Sequence, residues 1–91
     1  MLWEDLESGD KLMFNPEWVR EHSKKYRWWR EEYIDKIFTI SYTDSYDDRF
    51  LNIYFTEGRL GFGIFKETGF FCNKYNDLEP PLFKIVELKD D

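Results

Sequence analysis

Apolar and polar residues alternate through most of the second half of the chain, with the period of two that half-buried strands require. Phe38, Ile40 and Tyr42 are predicted to face inward, with polar residues between them. A shorter apolar run after the turn signal Gly9-Asp10 can form a first strand. The pattern predicts strands over residues 11–14, 38–43, 51–56, 60–64 and 83–88, with 68–72 as a candidate sixth.

A helical period replaces the strand period after the first strand. Asn15 is a favoured N-cap residue, and Pro16 suits the first helical position. The apolar stripe recurs at spacings of three and four residues and consists of Val19, His22, Tyr26, Trp29 and Tyr33. The spacing predicts one helix over about 16–33. On a continuous helix Trp28 is exposed on the polar side, whereas a chain break near Tyr26 would turn it inward; both alternatives stay open.

One helix inserted after the first of five or six strands predicts an α+β fold that is mainly β. The short strands favour a small, strongly bent antiparallel barrel. Gly61 and Gly63 lie on one face of their strand, where a missing side chain permits bending or close approach of another backbone. Neither a repeat nor a linker divides the 91 residues, so we expect a single domain over 1–91.

The order of these elements resembles an SH3-like barrel. The resemblance is carried by Asp5-Leu6 and Gly9-Asp10 before the first strand, by the long excursion that follows it, and by the Gly-rich strand late in the chain. Asp77-Leu78-Glu79-Pro80 lies where such barrels have a short 3-10 turn before the final strand. The resemblance implies a barrel of this type. A helix of the predicted length departs from SH3 domains, so their peptide groove is not carried over.

Composition and charge exclude several classes of protein. The chain has 19 acidic and 13 basic residues, a formal net charge of −6, which makes duplex DNA and anionic membranes unfavourable partners. No apolar run approaches the ~18 residues of a membrane span. One Cys and one His leave no basis for a disulfide or a His-rich metal site, so we expect no metal and no cofactor. The acidic start is unlike a signal peptide, which predicts a cytoplasmic protein.

No group of residues has the pattern of a catalytic site, so we expect a protein that is not an enzyme. His22 falls on the apolar stripe and Cys72 follows two Phe residues, away from any group that would activate a thiol. Asp44, Asp47 and Asp48 could bind a hard cation, but they lack the spacing of a calcium loop and fit a solvated hairpin tip better. The spacing Gly58-x-x-Gly61-x-Gly63 is a weak indication of a phosphate loop. Gly61 and Gly63 lie within a predicted strand, where barrel curvature explains them better.

Basic and aromatic residues are interleaved over residues 20–30, which hold five bases and one acid. This segment carries +4, which leaves −10 for the other eighty residues. This combination of basic and aromatic residues is typical of single-stranded nucleic-acid sites and of protein-interface hot spots. It is also compatible with an ordinary helix whose bases pair with Glu17, Glu21, Glu31 and Glu32. From this segment we select Arg27, Trp28 and Arg30 as one candidate contact face.

The acidic remainder provides the second candidate face. Its carboxylates fall largely in predicted loops and could steer the protein toward a basic groove. We select Tyr46, Asp47 and Asp48, in the loop of the predicted hairpin, as this face. Nineteen aromatic residues are also more than a core of this size is expected to need, which favours an aromatic contact surface.

The acidic, aromatic-rich chain with its opening Trp3-Glu4-Asp5-Leu6 resembles small proteins of phages and prophages of Gram-positive bacteria. The resemblance implies the cytosol of a bacterial host and inhibition of a defence system, such as a CRISPR nuclease or another anti-phage effector. We therefore expect a non-enzymatic protein that binds a bacterial host protein stoichiometrically, with a homo-oligomer left open. Two alternatives stay open: sequestration of a nucleotide signal in an aromatic pocket, and single-stranded nucleic-acid binding.

Overall fold

A computed structural model describes residues 3–45, 47–73 and 79–89. Its strands are β1 (Lys11–Phe14), β2 (Phe38–Ser45), β3 (Phe50–Phe55), β4 (Gly61–Phe65) and β5 (Phe83–Glu87). They form one antiparallel sheet in the order β4-β3-β2-β1-β5. The helix α1 (Pro16–His22) follows β1. The predicted α+β class, mainly β with five antiparallel strands and a helix after the first, is confirmed.

The sheet is open, so the closed SH3-like barrel is not confirmed. The strands β4 and β5 lie at opposite ends of the strand order. Residues 69–72 run along β4 but form only one isolated bridge, between Ile64 and Phe71, instead of the candidate sixth strand. The two ends approach each other through a backbone hydrogen bond of 3.0 Å from Leu82 N–H to the Gly69 carbonyl.

The predicted helix over 16–33 is wrong in its extent, because α1 ends at His22. A 3-10 turn follows over Ser23–Lys25, and Tyr26 then adopts an extended conformation with φ −115° and ψ 128°. The chain therefore breaks near Tyr26, as one of the two alternatives for Trp28 required. Trp28 turns inward, and its ring centre lies 5.0 Å from that of Phe62. A continuous helix would hold Trp28 about 100° away from Trp29, whereas the break lets both rings reach the same core.

Most of the described aromatic residues build the core, and Tyr42, Tyr54 and Phe65 are among those that lie outside it. Eight Trp and Phe side chains are buried, and four further Trp and Tyr side chains pack against them. Phe14, 1% exposed, lies at the centre. Its ring packs against seven other rings: Trp18, Trp28, Trp29, Tyr33, Phe38, Phe62 and Phe83. Among the described aromatic residues, only Tyr42 is exposed.

The carboxylate of Asp10 joins the two ends of the described chain. Asp10 is 2% exposed, and its Oδ2 accepts a hydrogen bond of 2.9 Å from Glu7 N–H. Its Oδ1 accepts a second bond of 2.7 Å from Lys89 N–H, just beyond β5. A charged acceptor strengthens both bonds. The turn before β1 therefore also anchors the end of the last strand.

We predict that Asp10→Ala destabilises the protein by about 1–3 kcal/mol, because it leaves two partly buried N–H groups without their acceptor. Urea unfolding of the variant and the parent protein measures the difference. Asp48→Ala is the control, since Asp48 is exposed and its loss should change the free energy of unfolding by less than about 0.5 kcal/mol. Equal stability of the Asp10 variant and the parent would contradict the anchoring role.

Candidate functional site

A cleft of about 460 Å³ opens where the β2–β3 loop meets the N-terminal turn and the chain that leaves β4. It is lined by Glu4, Asp48, Arg49, Phe65, Lys66, Glu67 and Thr68. We call it the hairpin-end cleft. The backbone bond from Lys66 N–H to the Arg49 carbonyl, 2.8 Å long, ties two of its walls together. Three carboxylates and two cations therefore surround one half-buried phenylalanine.

The two cations of this cleft are held by groups other than carboxylates. Lys66 Nζ donates a hydrogen bond of 2.6 Å to Ser45 Oγ. The Arg49 guanidinium lies 5.0 Å from the ring centre of Phe50, at cation–π distance. The carboxylates of the cleft thus have no basic partner within 4.0 Å among the described residues.

The structure gives Asp47 and Asp48 different tasks. Asp47 Oδ1 accepts hydrogen bonds from Arg49 N–H at 2.7 Å and from Phe50 N–H at 3.1 Å, as in an Asx turn. Asp47 therefore shapes the loop, whereas Asp48 is exposed and lines the hairpin-end cleft. The third residue of this predicted face, Tyr46, lies outside the described residues.

The other predicted face keeps its cations but not an exposed tryptophan. Arg27 and Arg30 are exposed, and Trp28 is half-buried against the core. Arg30 Nη1 donates hydrogen bonds to the carbonyls of Arg27, at 2.8 Å, and Trp29, at 2.9 Å. One of the two guanidiniums therefore stabilises the turn that carries Trp28. No described contact joins this group to the hairpin-end cleft.

The salt bridges of the ordinary-helix alternative for residues 20–30 do not form among the described residues. Within the described ranges the one carboxylate within 4.0 Å of a base is Glu21, whose Oε2 lies 3.8 Å from His22 Nε2. The early end of α1 removes the helical spacing of the pairs beyond His22, and within α1 Glu17 and Arg20 do not come within 4.0 Å of each other. The cations of this segment therefore face solvent without close carboxylate partners among the described residues.

His22 and Cys72 occupy structural positions. His22 Nε2 donates a hydrogen bond of 2.7 Å to the Glu79 carbonyl, which leaves Nδ1 to accept one of 3.3 Å from Lys25 Nζ. Burial raises the pKa of the Cys72 thiol, and the charge of Asp47 raises it further. Among the described side chains no three of the His, Cys, Asp and Glu types gather to hold a metal ion. In the same part of the chain no helix is long and apolar enough to span a membrane.

Tyr42 forms a surface feature that the sequence pattern did not predict. The alternation placed Tyr42 inward with Phe38 and Ile40, but a β-bulge between Ile40 and Tyr42 reverses its side. Tyr42 is 54% exposed and pairs with Tyr54 of β3. Their rings stack with centres 4.4 Å apart and planes 14° apart. The bulge is thus the device that places an aromatic face on the surface.

Gly61 and the turn that precedes it complete this feature. A Cβ at Gly61 would lie 2.7 Å from Tyr54 Cδ1, so only glycine lets the Tyr54 ring lie flat over β4. The stack borders a hollow of about 220 Å³, also lined by Ser41, Phe55, Arg59 and Leu60. We call Tyr42, Tyr54, Gly61 and Arg59 together the tyrosine platform.

Hydrogen bonds of neighbouring residues fix the turn that carries Arg59. Arg59 and Gly58 both have positive φ angles, of 54° and 69°. Their turn is fixed by Glu57 Oε1, which accepts a bond of 2.7 Å from Thr39 N–H, and by Phe55 N–H, which donates one of 2.8 Å to the Leu60 carbonyl. Left-handed backbone is uncommon outside glycine, so this well-anchored turn determines where the Arg59 side chain leaves the chain.

Comparison of the chain with protein-family models, with curated proteins and with solved structures finds no match.

We predict that Glu57 makes the stability of the protein depend on pH in the acidic range. Burial raises the pKa of this carboxyl, but its hydrogen bond from Thr39 N–H and the nearby Lys36 charge outweigh burial, so the pKa lies below its ordinary 4.5. A lowered folded-state pKa stabilises the protein above about pH 4.5, and this contribution is lost as the pH falls through the folded-state pKa.

Urea unfolding between neutral pH and about pH 3 tests this dependence on the parent protein and on Glu57→Gln. The variant should be less stable near neutral pH, and the difference should shrink as the pH falls. Glu31→Gln is the control, because Glu31 is exposed and accepts no described side-chain bond. A difference that stays constant over the whole range would contradict the prediction.

Proposed function

We propose that this is a non-enzymatic protein of the phage or prophage type that acts by stoichiometric association with a bacterial host protein. The resemblance of its sequence to small phage proteins implies the specific role of inhibiting a host defence system, such as a CRISPR nuclease or another anti-phage effector. This role requires the cytosol of the bacterial host.

The observation that carries the proposal is the set of charges around the hairpin-end cleft. Glu4, Asp48 and Glu67 line the cleft without a described base within 4.0 Å. A partner that supplies bases therefore does not first have to break ion pairs within the protein. The excess of carboxylates in the cleft, and the net charge of −6, select a partner with a basic surface.

The construction of the cleft also fits a protein partner. Phe65 is half-buried in the cleft and packs 4.9 Å from the ring of Phe50, so an apolar residue is framed by charged ones. Protein interfaces have this arrangement, with an apolar centre and a polar rim. The backbone bond between Lys66 and Arg49 holds the frame in place, which lowers the ordering cost of binding.

For the architecture we propose an SH3-like barrel that is open on one side. The strand order supports this, because β2, β3 and β4 form a meander and β5 returns to pair with β1. The excursion over residues 15–37 lies between β1 and β2, as the resemblance requires. The bond between Leu82 and Gly69 brings the open edges together.

We predict that the tagged protein captures one stoichiometric partner from a nuclease-treated bacterial host lysate, identified by mass spectrometry. The double variant Asp48→Lys/Glu67→Lys should weaken this binding about tenfold or more, since it reverses the charge that the basic partner meets. Affinity is then measured by titration calorimetry with the purified partner.

Glu31→Lys/Glu32→Lys is the matched control, because it changes the net charge equally on exposed residues outside the cleft. It should bind like the parent protein. Equal weakening in both double variants would show that only net charge matters and would sink the assignment of the cleft. A species that is captured from untreated lysate but not from nuclease-treated lysate would support the single-stranded nucleic-acid alternative instead. The Arg27→Glu/Arg30→Glu variant would then be compared with the parent protein for nucleic-acid binding.

A further inference from the structure

We infer that the tyrosine platform is a second binding site, for a planar aromatic anion of which a nucleoside monophosphate is the representative probe. This site involves none of the residues of the hairpin-end cleft, and its existence does not depend on the proposed association with a host protein.

The stacked tyrosines supply the surface for a planar ring. Tyr54 supports Tyr42 from one side in a nearly parallel stack, and Tyr42 is 54% exposed. Every other described aromatic residue is buried or half-buried, so the platform is where the described surface offers an aromatic ring to a ligand. Aromatic side chains held in this way stack on nucleobases with little regard to base identity, because every base has a π face.

The charge beside the stack selects an anion. Arg59 is the charged residue among those that line the hollow, and it is exposed. A guanidinium presents a planar set of donors that matches phosphate and carboxylate oxygens. The net charge of −6 repels a long polyanion, which favours a single nucleotide over a nucleic-acid strand.

The size of the hollow limits the ligand further. Its volume of about 220 Å³ is below the ~300–1,000 Å³ of clefts that enclose drug-sized ligands. A ring can therefore lie against Tyr42 while the rest of the ligand stays at the rim. Arg59 belongs to that rim, and it is the group that would meet the anionic end of the ligand.

The platform is built before any ligand arrives. Arg59 has a φ of 54°, and a non-glycine residue in this region is held only where its surroundings enforce it. The turn that contains Arg59 is anchored by the Glu57 carboxylate, which accepts a hydrogen bond from Thr39 N–H. Gly61 leaves room for the flat Tyr54 ring. Two independent departures from the ordinary strand pattern, the bulge before Tyr42 and the left-handed turn, thus bring an aromatic face and a cation together.

The test is a titration of isotopically labelled protein with adenosine monophosphate, adenosine and inorganic phosphate, followed by NMR. We expect shifts concentrated on residues 41–42, 54 and 57–61, a Kd of about 1 mM or tighter for the nucleotide, and binding at least about tenfold weaker for adenosine and for phosphate. Spectra of each variant establish that it is folded before it is titrated.

Two substitutions separate stacking from charge recognition. Tyr42→Ala should weaken nucleotide binding at least about tenfold, whereas Tyr42→Phe, which keeps the ring, should leave it within about twofold. Arg59→Gln should lower the affinity for the nucleotide to that for adenosine and leave adenosine binding unchanged. Arg20→Gln is the control for loss of an exposed arginine and should have no effect.

Several outcomes would overturn the inference: no shifts with about 10 mM nucleotide, shifts centred on Arg27 and Arg30, or unchanged binding in Tyr42→Ala. A decanucleotide that binds at the platform more tightly than the mononucleotide would assign the site to single-stranded nucleic acid instead. The Asp48→Lys/Glu67→Lys variant should bind nucleotide like the parent protein, so failure of the cleft proposal and failure of the platform proposal are distinguishable.

Discussion

The packing of aromatic rings around Phe14 is the interaction on which the other features depend. Phe14 ends β1 and is directly followed by Asn15, the N-cap, and by Pro16, the first residue of α1. Its ring therefore lies where the sheet meets the excursion, and it contacts rings from both. A helix of seven residues is too short to be stable by itself in water. Burial of Trp18 against Phe14 is what stabilises it here.

This core contains buried polar groups that its packing does not satisfy. The indole N–H groups of Trp18 and Trp29 are buried, and neither has a hydrogen-bond acceptor among the described residues. An unsatisfied buried donor costs free energy, so the packing of these rings must outweigh that cost. Because most described aromatic rings are buried or half-buried, the high aromatic content does not produce a large exposed aromatic surface among the described residues. It leaves the exposed Tyr42 as a specific feature instead of one member of a large aromatic surface.

Local signals in the sequence were sufficient for the strands and the start of the helix. The alternation and the turn signals located the five described strands to within a few residues, and Asn15 caps α1 through a bond of 3.1 Å from Glu17 N–H to its side chain. The end of α1 could not be predicted in the same way, because the apolar stripe continues to Tyr33. The break accompanies the packing of Trp28 against the core, which is a tertiary contact that the stripe does not reveal. The bulge that exposes Tyr42 is likewise invisible in an alternation that runs through it unchanged.

Several of the acidic residues have structural roles that the composition alone does not reveal. Asp10, Asp47 and Glu57 each use a carboxylate oxygen to accept backbone N–H groups, and each of them fixes a turn or a chain end. These three acids serve the fold, and the last two stand at the two ends of β3. The β2–β3 hairpin is thus braced at its tip and at its base, and it carries the hairpin-end cleft at one end and the tyrosine platform near the other. The sequence pattern predicts Asp48 as an exposed acidic residue of a loop. Glu4 and Glu67, which line the cleft with it, come from distant parts of the sequence. Only the fold brings them together, which is why the individual charge could be predicted and the cleft could not.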